Sequence, residues 1–117
     1  MKRVLVVEPH PQALAALTDL VEDEPGCELV GAVTTVAEAI QLVNDVIPDV
    51  VLVDADASNW QSHRLGHQLG ELLPKALLVL LSAATDPRQE CPKSSAKTPP
   101  ITILKTAAPE FLRSLSA

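Results

Sequence analysis

Four short runs of aliphatic residues, each followed at once by a polar side chain, constrain the fold of this chain more than any other feature. The runs and the polar residues after them are 4–7 before Glu8, 50–53 before Asp54, 77–81 before Ser82 and 101–104 before Lys105. Short continuous runs of Val, Leu and Ile are typical of parallel strands that are buried on both faces of a sheet. The carboxyl ends of parallel strands meet at one edge, where ligands bind. We therefore expect two acids, a hydroxyl and an ammonium group to converge on one small site.

Helical patterns separate these runs. A first helix begins at Pro11, where a missing N–H costs little, and Leu14, Leu17 and Val21 mark its inner face. The second predicted helix begins with a capping-box signature at residues 35–38.

The second helix is expected to run on to Pro48, because its apolar stripe extends as far as Ile47. A third helix is predicted from Ser58 to about Leu73, with Leu72 among its inward-facing residues.

A further strand at residues 27–33 brings the number of predicted strands to five. Strands that alternate with helices through short loops predict an α/β fold with a parallel sheet. The flavodoxin-like strand order 2-1-3-4-5 is expected, in a single domain that covers residues 1–117. That order makes Glu8 and Asp54 neighbours at the switch point of the sheet.

Residues 85–100 interrupt the alternation of strands and helices. The segment holds Pro87, Pro92, Pro99 and Pro100 and has no apolar stripe, so the fourth helix is expected to be eroded. The fifth helix, which opens at Pro109, is expected to be short.

Composition restricts the classes of partner. The net charge of −6 disfavours direct binding of nucleic acid or of an anionic membrane surface. Cys27 and Cys91 lack CxxC spacing and are expected to be reduced thiols. With no signal peptide or apolar stretch of membrane length in the sequence, a cytoplasmic location is expected.

The chain resembles the receiver domain of bacterial response regulators along nearly its whole length, most of all the LuxR-type receivers. The segments that carry this resemblance are Glu8-Pro9-His10-Pro11, the second strand at 28–32, the strand 48–54, Ser82-Ala83 and Lys105. Each motif alone has low specificity, but their order and spacing together are characteristic.

The resemblance implies roles for these residues. Asp54 would accept a phosphoryl group from a histidine kinase, and Mg²⁺ would be held by Asp54, Glu8 and the backbone carbonyl of Asp56. Lys105 would pair with the phosphoryl oxygens and Ser82 would hydrogen-bond one of them. This set fits the chemistry, since phosphoryl transfer to a carboxylate requires charge to be neutralised.

The departures from the family pattern are also informative. Pro9 stands where the second acid of the pair is expected, so Mg²⁺ is expected to bind weakly or not at all. The side chain of Asp56 is a candidate to replace the missing carboxylate. Thr102 stands where many receivers carry an aromatic switch residue.

Three functions are compatible with this pattern. The first is an atypical receiver-like signalling domain with a phosphoacceptor at Asp54, which would be no enzyme beyond its self-phosphorylation. The second is a pseudo-receiver that binds signalling proteins without phosphoryl chemistry. The third, a small flavodoxin-like enzyme or nucleotide binder, is disfavoured because the chain has no Gly-rich phosphate loop. The oligomeric state stays open.

Simpler interpretations exist for the same residues. Asp54 could cap the third helix, and Lys105 and Ser82 could be ordinary polar residues at strand ends. His63, His67 and Glu71 have helical spacing that can bind Zn²⁺, but a solvated polar face is the preferred interpretation of these three residues.

Overall fold

The computed structural model describes residues 1–54, 71–72, 75–82 and 101–116. Its elements in chain order are β1 (Lys2–Val7), α1 (Pro11–Asp23), β2 (Cys27–Val33), α2 (Val36–Leu42), β3 (Val50–Asp54), β4 (Leu77–Ser82), β5 (Ile101–Leu104), a 3₁₀ turn (Lys105–Ala107) and α3 (Ala108–Ser116). The five strands form one parallel sheet in the order β2-β1-β3-β4-β5, which confirms the predicted topology.

The aliphatic runs are explained by a sheet that is covered on both faces. Successive residues of a strand point to opposite faces. One face packs against α1 and α3, and its core includes Val6 and Leu52 of the sheet with Leu17 and Leu112 of the two helices. The other face packs against α2 and forms a second core of Leu5, Val7, Ala39, Val43, Val51 and Val53.

The two helices that follow β1 and β2 begin where the sequence predicts. Pro11 occupies the first turn of α1, and Leu17 and Val21 are buried on its inner face. The hydroxyl of Thr35 accepts the backbone N–H of Glu38 at 3.1 Å, which caps α2.

The predicted end of the second helix was wrong. α2 stops at Leu42, and the chain turns through a backbone hydrogen bond of 2.9 Å from Asp45 N–H to the Leu42 carbonyl. Val, Asn and Asp have low helix propensity, and they follow the end of α2. Ile47 is therefore 70% exposed instead of continuing an apolar stripe.

Strand β2 contains an irregularity beside β1. Val4 pairs with Leu29 but Leu5 pairs with Gly31, so Val30 is an extra residue and forms a bulge. A Cβ atom at Gly31 would lie 2.5 Å from Cδ2 of Leu42 and 2.9 Å from Cδ1 of Leu5. A larger residue here would therefore require the ends of the Leu42 and Leu5 side chains to move.

The predictions for the second half of the chain are tested only in part. Glu71 and Leu72 are helical, as predicted, but Leu72 is 48% exposed and does not face the core. The rest of the predicted third helix and the proline-rich segment 85–100 lie outside the described residues. The last helix, α3, is short, as predicted, and begins at Ala108. Within the described ranges, no helix has the length and apolar character needed to cross a membrane.

Candidate functional site

The register of the sheet aligns the predicted site residues along one edge, which we call the carboxyl edge. Val7 pairs with Val53, so Glu8 and Asp54 each come one residue after this pair on adjacent strands. The next pairs along the edge are Asp54 with Leu81 and Ser82 with Leu104, and Lys105 follows Leu104 directly. The backbone positions of Glu8, Asp54, Ser82 and Lys105 therefore follow one another across four neighbouring strands, as the sequence predicts.

Glu8 is the site residue whose side chain the structure describes in most detail. Its backbone N–H donates to the Val33 carbonyl at 2.9 Å, which keeps it in line with the sheet just after β1. The residue is 0% exposed, although a buried carboxylate is costly unless polar groups surround it. Such burial indicates that the Glu8 carboxylate is held in one position by its surroundings and is not a solvated surface group.

The carboxylate of Glu8 turns back onto its own loop. Oε1 accepts the backbone N–H of His10 at 3.3 Å and lies 3.0 Å from Nδ1 of the His10 ring. An ionised carboxylate only accepts hydrogen bonds, so a hydrogen bond between it and the ring requires the tautomer with a proton on Nδ1. Glu8, Pro9 and His10 thus form a small closed loop at the carboxyl edge.

No site role is predicted from the sequence for His10, which appears only within the segment Glu8-Pro9-His10-Pro11 that resembles the family. It occupies the N-cap position of α1 with an extended backbone, but its side chain makes no capping hydrogen bond. The signal that could have identified it is its spacing from Glu8. Pro9 fixes one φ angle between them, which limits the conformations of this short segment.

The side chains of the other predicted site residues are not among those that the structure describes. This applies to Asp56 as a whole, to the side chains of Asp54, Ser82 and Lys105, and to the two histidines of the predicted third helix. Glu71 is exposed. Among the side chains that the structure does describe, no group of three His, Cys, Asp or Glu residues could hold a metal ion.

The donor chemistry at the carboxyl edge nevertheless fits Mg²⁺. This ion prefers oxygen ligands and commonly uses only one or two protein carboxylates, with waters completing its shell. Glu8 supplies a buried carboxylate directly beside the chain position of Asp54. Pro9, which is half-buried next to Glu8, supplies neither a carboxylate nor an N–H.

Comparisons with known proteins agree with this architecture. No protein-family model matches the chain. Over 84 residues it is 29% identical to protein-glutamate methylesterase/protein-glutamine glutaminase 3 of Geobacter sulfurreducens, a match that covers 72% of this chain and 23% of that protein. The chain thus spans about a quarter of the length of the curated relatives it matches.

Solved structures match nearly the whole chain. The response regulator domain of Thermotoga maritima CheB has a TM-score of 0.73 at 19% identity, over 98% of this chain and 93% of that one. The isolated REC domain of RcsB from Salmonella enterica serovar Typhimurium, solved with the phosphomimetic BeF₃⁻, has a TM-score of 0.71 at 16% identity, over 97% and 83%. The resemblance predicted from the sequence is confirmed in the fold: this chain has the fold of a response regulator receiver domain.

Proposed function

We propose that this chain is an atypical receiver-like signalling domain of a two-component response regulator, in which Asp54 accepts a phosphoryl group. The observation that carries the proposal is the sheet register at the carboxyl edge. It aligns the buried acid Glu8 with Asp54, and the positions of Ser82 and Lys105 follow on the next two strands.

Each residue has a distinct task in this proposal. A carboxylate oxygen of Asp54 forms a bond to phosphorus while the bond from phosphorus to the donor breaks, and the donor leaves with the electron pair. Lys105 pairs with the phosphoryl oxygens and Ser82 donates a hydrogen bond to one of them. Glu8 and Asp54, with Asp56, would hold Mg²⁺, which when bound neutralises charge on the acceptor and the phosphoryl group.

The partners in the proposal are proteins. A histidine kinase or another signalling protein would supply the phosphoryl group in the cytoplasm, and the net charge of −6 argues against direct contact with nucleic acid. The chain would have no catalytic activity beyond its own phosphorylation. The methylesterase and glutaminase activities named for the longer relatives are not part of the proposal.

The direct test is incubation with acetyl phosphate and Mg²⁺, followed by intact-mass measurement. We expect a mass gain of one phosphoryl group, because the register brings acid, acceptor, hydroxyl and ammonium positions to one edge. Asp54→Asn should abolish the gain, whereas the matched control Asp49→Asn, at the opposite end of the same strand, should retain it. A wild-type chain that gains no mass at any Mg²⁺ concentration would exclude Asp54 as an acceptor.

A second candidate function is a pseudo-receiver that binds protein partners without phosphorylation. Two observations favour it: Pro9 stands in place of the second acid, and Oε1 of Glu8 is already in contact with His10. Beryllofluoride, a phosphoryl mimic, discriminates between the two candidates by NMR. Shifts that spread through β5 and α3, or a new dimer, support the phospho-switch. Shifts confined to the loops at the carboxyl edge support the pseudo-receiver, since Thr102 is too small to relay the change as an aromatic side chain would.

A further inference from the structure

The contact between Glu8 and His10 has a consequence for any cation at the carboxyl edge. A carboxylate oxygen has two lone pairs in its plane. Oε1 of Glu8 accepts the backbone N–H of His10 at 3.3 Å and lies 3.0 Å from the ring Nδ1. A cation that takes Oε1 as a ligand therefore competes with these two contacts.

The ring of His10 is the contact that is easier to replace. Its side chain is 69% exposed, whereas Glu8 is fully buried, so the ring can turn into solvent without losing a packed environment. The backbone of His10 is anchored separately, because its carbonyl accepts the Leu14 N–H of α1 at 2.8 Å. The ring itself makes no capping hydrogen bond to the helix. Loss of the ring contact should therefore leave α1 in place.

We propose that the His10 side chain is a displaceable cap on Glu8 that competes with a divalent cation for Oε1. The inference rests on the proposed metal-dependent acceptor site at Asp54, and it assigns to His10 a share of the weak metal binding expected from Pro9. His10 is thus a positioning residue that determines how readily Glu8 becomes a ligand.

The test is a titration of the full ¹⁵N-labelled chain with MgCl₂, monitored by the backbone amides of Val7 and Val53. We expect His10→Ala to bind Mg²⁺ about three to ten times more tightly than wild type, because one charge-assisted hydrogen bond no longer competes. Glu8→Gln serves as the reference, and the gain should vanish when His10→Ala is made in that background. His10→Ser, which carries a residue favoured at helix N-caps, repeats the test if α1 is weakened by alanine.

Three results would overturn the inference. Unchanged affinity, or no binding in any variant, would mean that His10 does not compete for Glu8. Weaker binding by His10→Ala would make the ring a metal ligand. An equal gain in the Glu8→Gln background would show that the ring acts elsewhere.

Phosphorylation of the same samples separates this inference from the proposed function. Tighter Mg²⁺ binding by His10→Ala, with no phosphorylation of Asp54 in either protein, would refute the proposed acceptor and leave the cap intact. Phosphorylation of both proteins with equal Mg²⁺ affinities would refute the cap alone.

Discussion

The two ends of the parallel sheet each carry an acid, and the two acids are held in opposite ways. At the amino edge, where the strands begin, Asp49 is exposed and its partners are backbone groups. Its Oδ2 accepts the Arg3 N–H at 2.9 Å, its own N–H donates to the Arg3 carbonyl at 2.7 Å, and its carbonyl accepts the Leu77 N–H at 2.9 Å. Asp49 thus ties β1, β3 and β4 together.

At the carboxyl edge, Glu8 is fully buried. Its Oε1 contacts the backbone N–H and the ring of His10, which lies two positions further along the same loop. An exposed carboxylate that satisfies backbone donors stabilises the start of a sheet at small cost. Burying a carboxylate is costly unless polar groups surround it, and perturbed buried acids are often found at functional sites. The contrast is the one expected if Asp49 stabilises the sheet and Glu8 belongs to the proposed site at the carboxyl edge.

The largest expected difference between the two acids concerns metal. Glu8→Gln keeps the shape of the side chain and removes its charge, so Mg²⁺ affinity should fall by about tenfold or more. Because the removed charge is buried, the free energy of unfolding should stay the same or rise. NMR titration and urea unfolding measure the two effects. A loss of about 1 kcal/mol or more in the free energy of unfolding would make Glu8 a structural acid like Asp49 and contradict the comparison.

The equivalent change at the amino edge should have the opposite pattern. Asp49→Asn weakens the charge-assisted hydrogen bond to the Arg3 N–H and should lower the free energy of unfolding by about 1 kcal/mol. Mg²⁺ affinity should not change, since Asp49 lies at the far end of the sheet. Asp45→Asn, which alters an exposed acid in the turn after α2, is the control and should leave stability within about 0.5 kcal/mol of wild type. Equal losses for the two variants would mean that the bond to Arg3 contributes nothing specific.

The sheet could be predicted from the sequence because its signals are local. Each apolar run has the length of one strand and is bounded by a polar residue: β3 and β4 consist of a run and the polar residue after it, and β5 consists of the run alone. The alternation of strands and helices predicted the strand order, which places Glu8 next to Asp54. The roles assigned to Asp54, Asp56, Ser82 and Lys105 remain predictions.

The features that sequence reasoning missed depend on how elements meet. The apolar spacing up to Ile47 continues past the true end of α2, because local spacing does not report that the chain must turn toward β3. The contact between Glu8 and His10 depends on burial of the carboxylate, which follows only once helices cover both faces of the sheet. The close approach of the Leu42 side chain to Gly31, beside the bulge of β2, likewise depends on how α2 packs on the sheet.

The smallest expected effect concerns Cys27, a second buried ionisable group, which lies at the amino edge where β2 begins. Burial, reinforced by the charge of Glu24, raises the pKa of this thiol above its ordinary value of 9.0, while the N-terminal amine opposes the shift. Its Sγ lies 3.9 Å from the Leu112 carbonyl, so the neutral thiol can donate a weak hydrogen bond to α3.

Because the folded state holds the proton of Cys27 more tightly, the stability from this group is fully present below pH 9 and is lost as the pH rises through the folded pKa. Urea unfolding at pH 8 and pH 10 should therefore show a smaller decline in stability for Cys27→Ala than for wild type, whatever its absolute stability. The chain has no Tyr, and wild type and variant share Cys91 and every lysine, so the difference in slope isolates Cys27. Identical slopes would show that burial at the amino edge does not hold this thiol neutral.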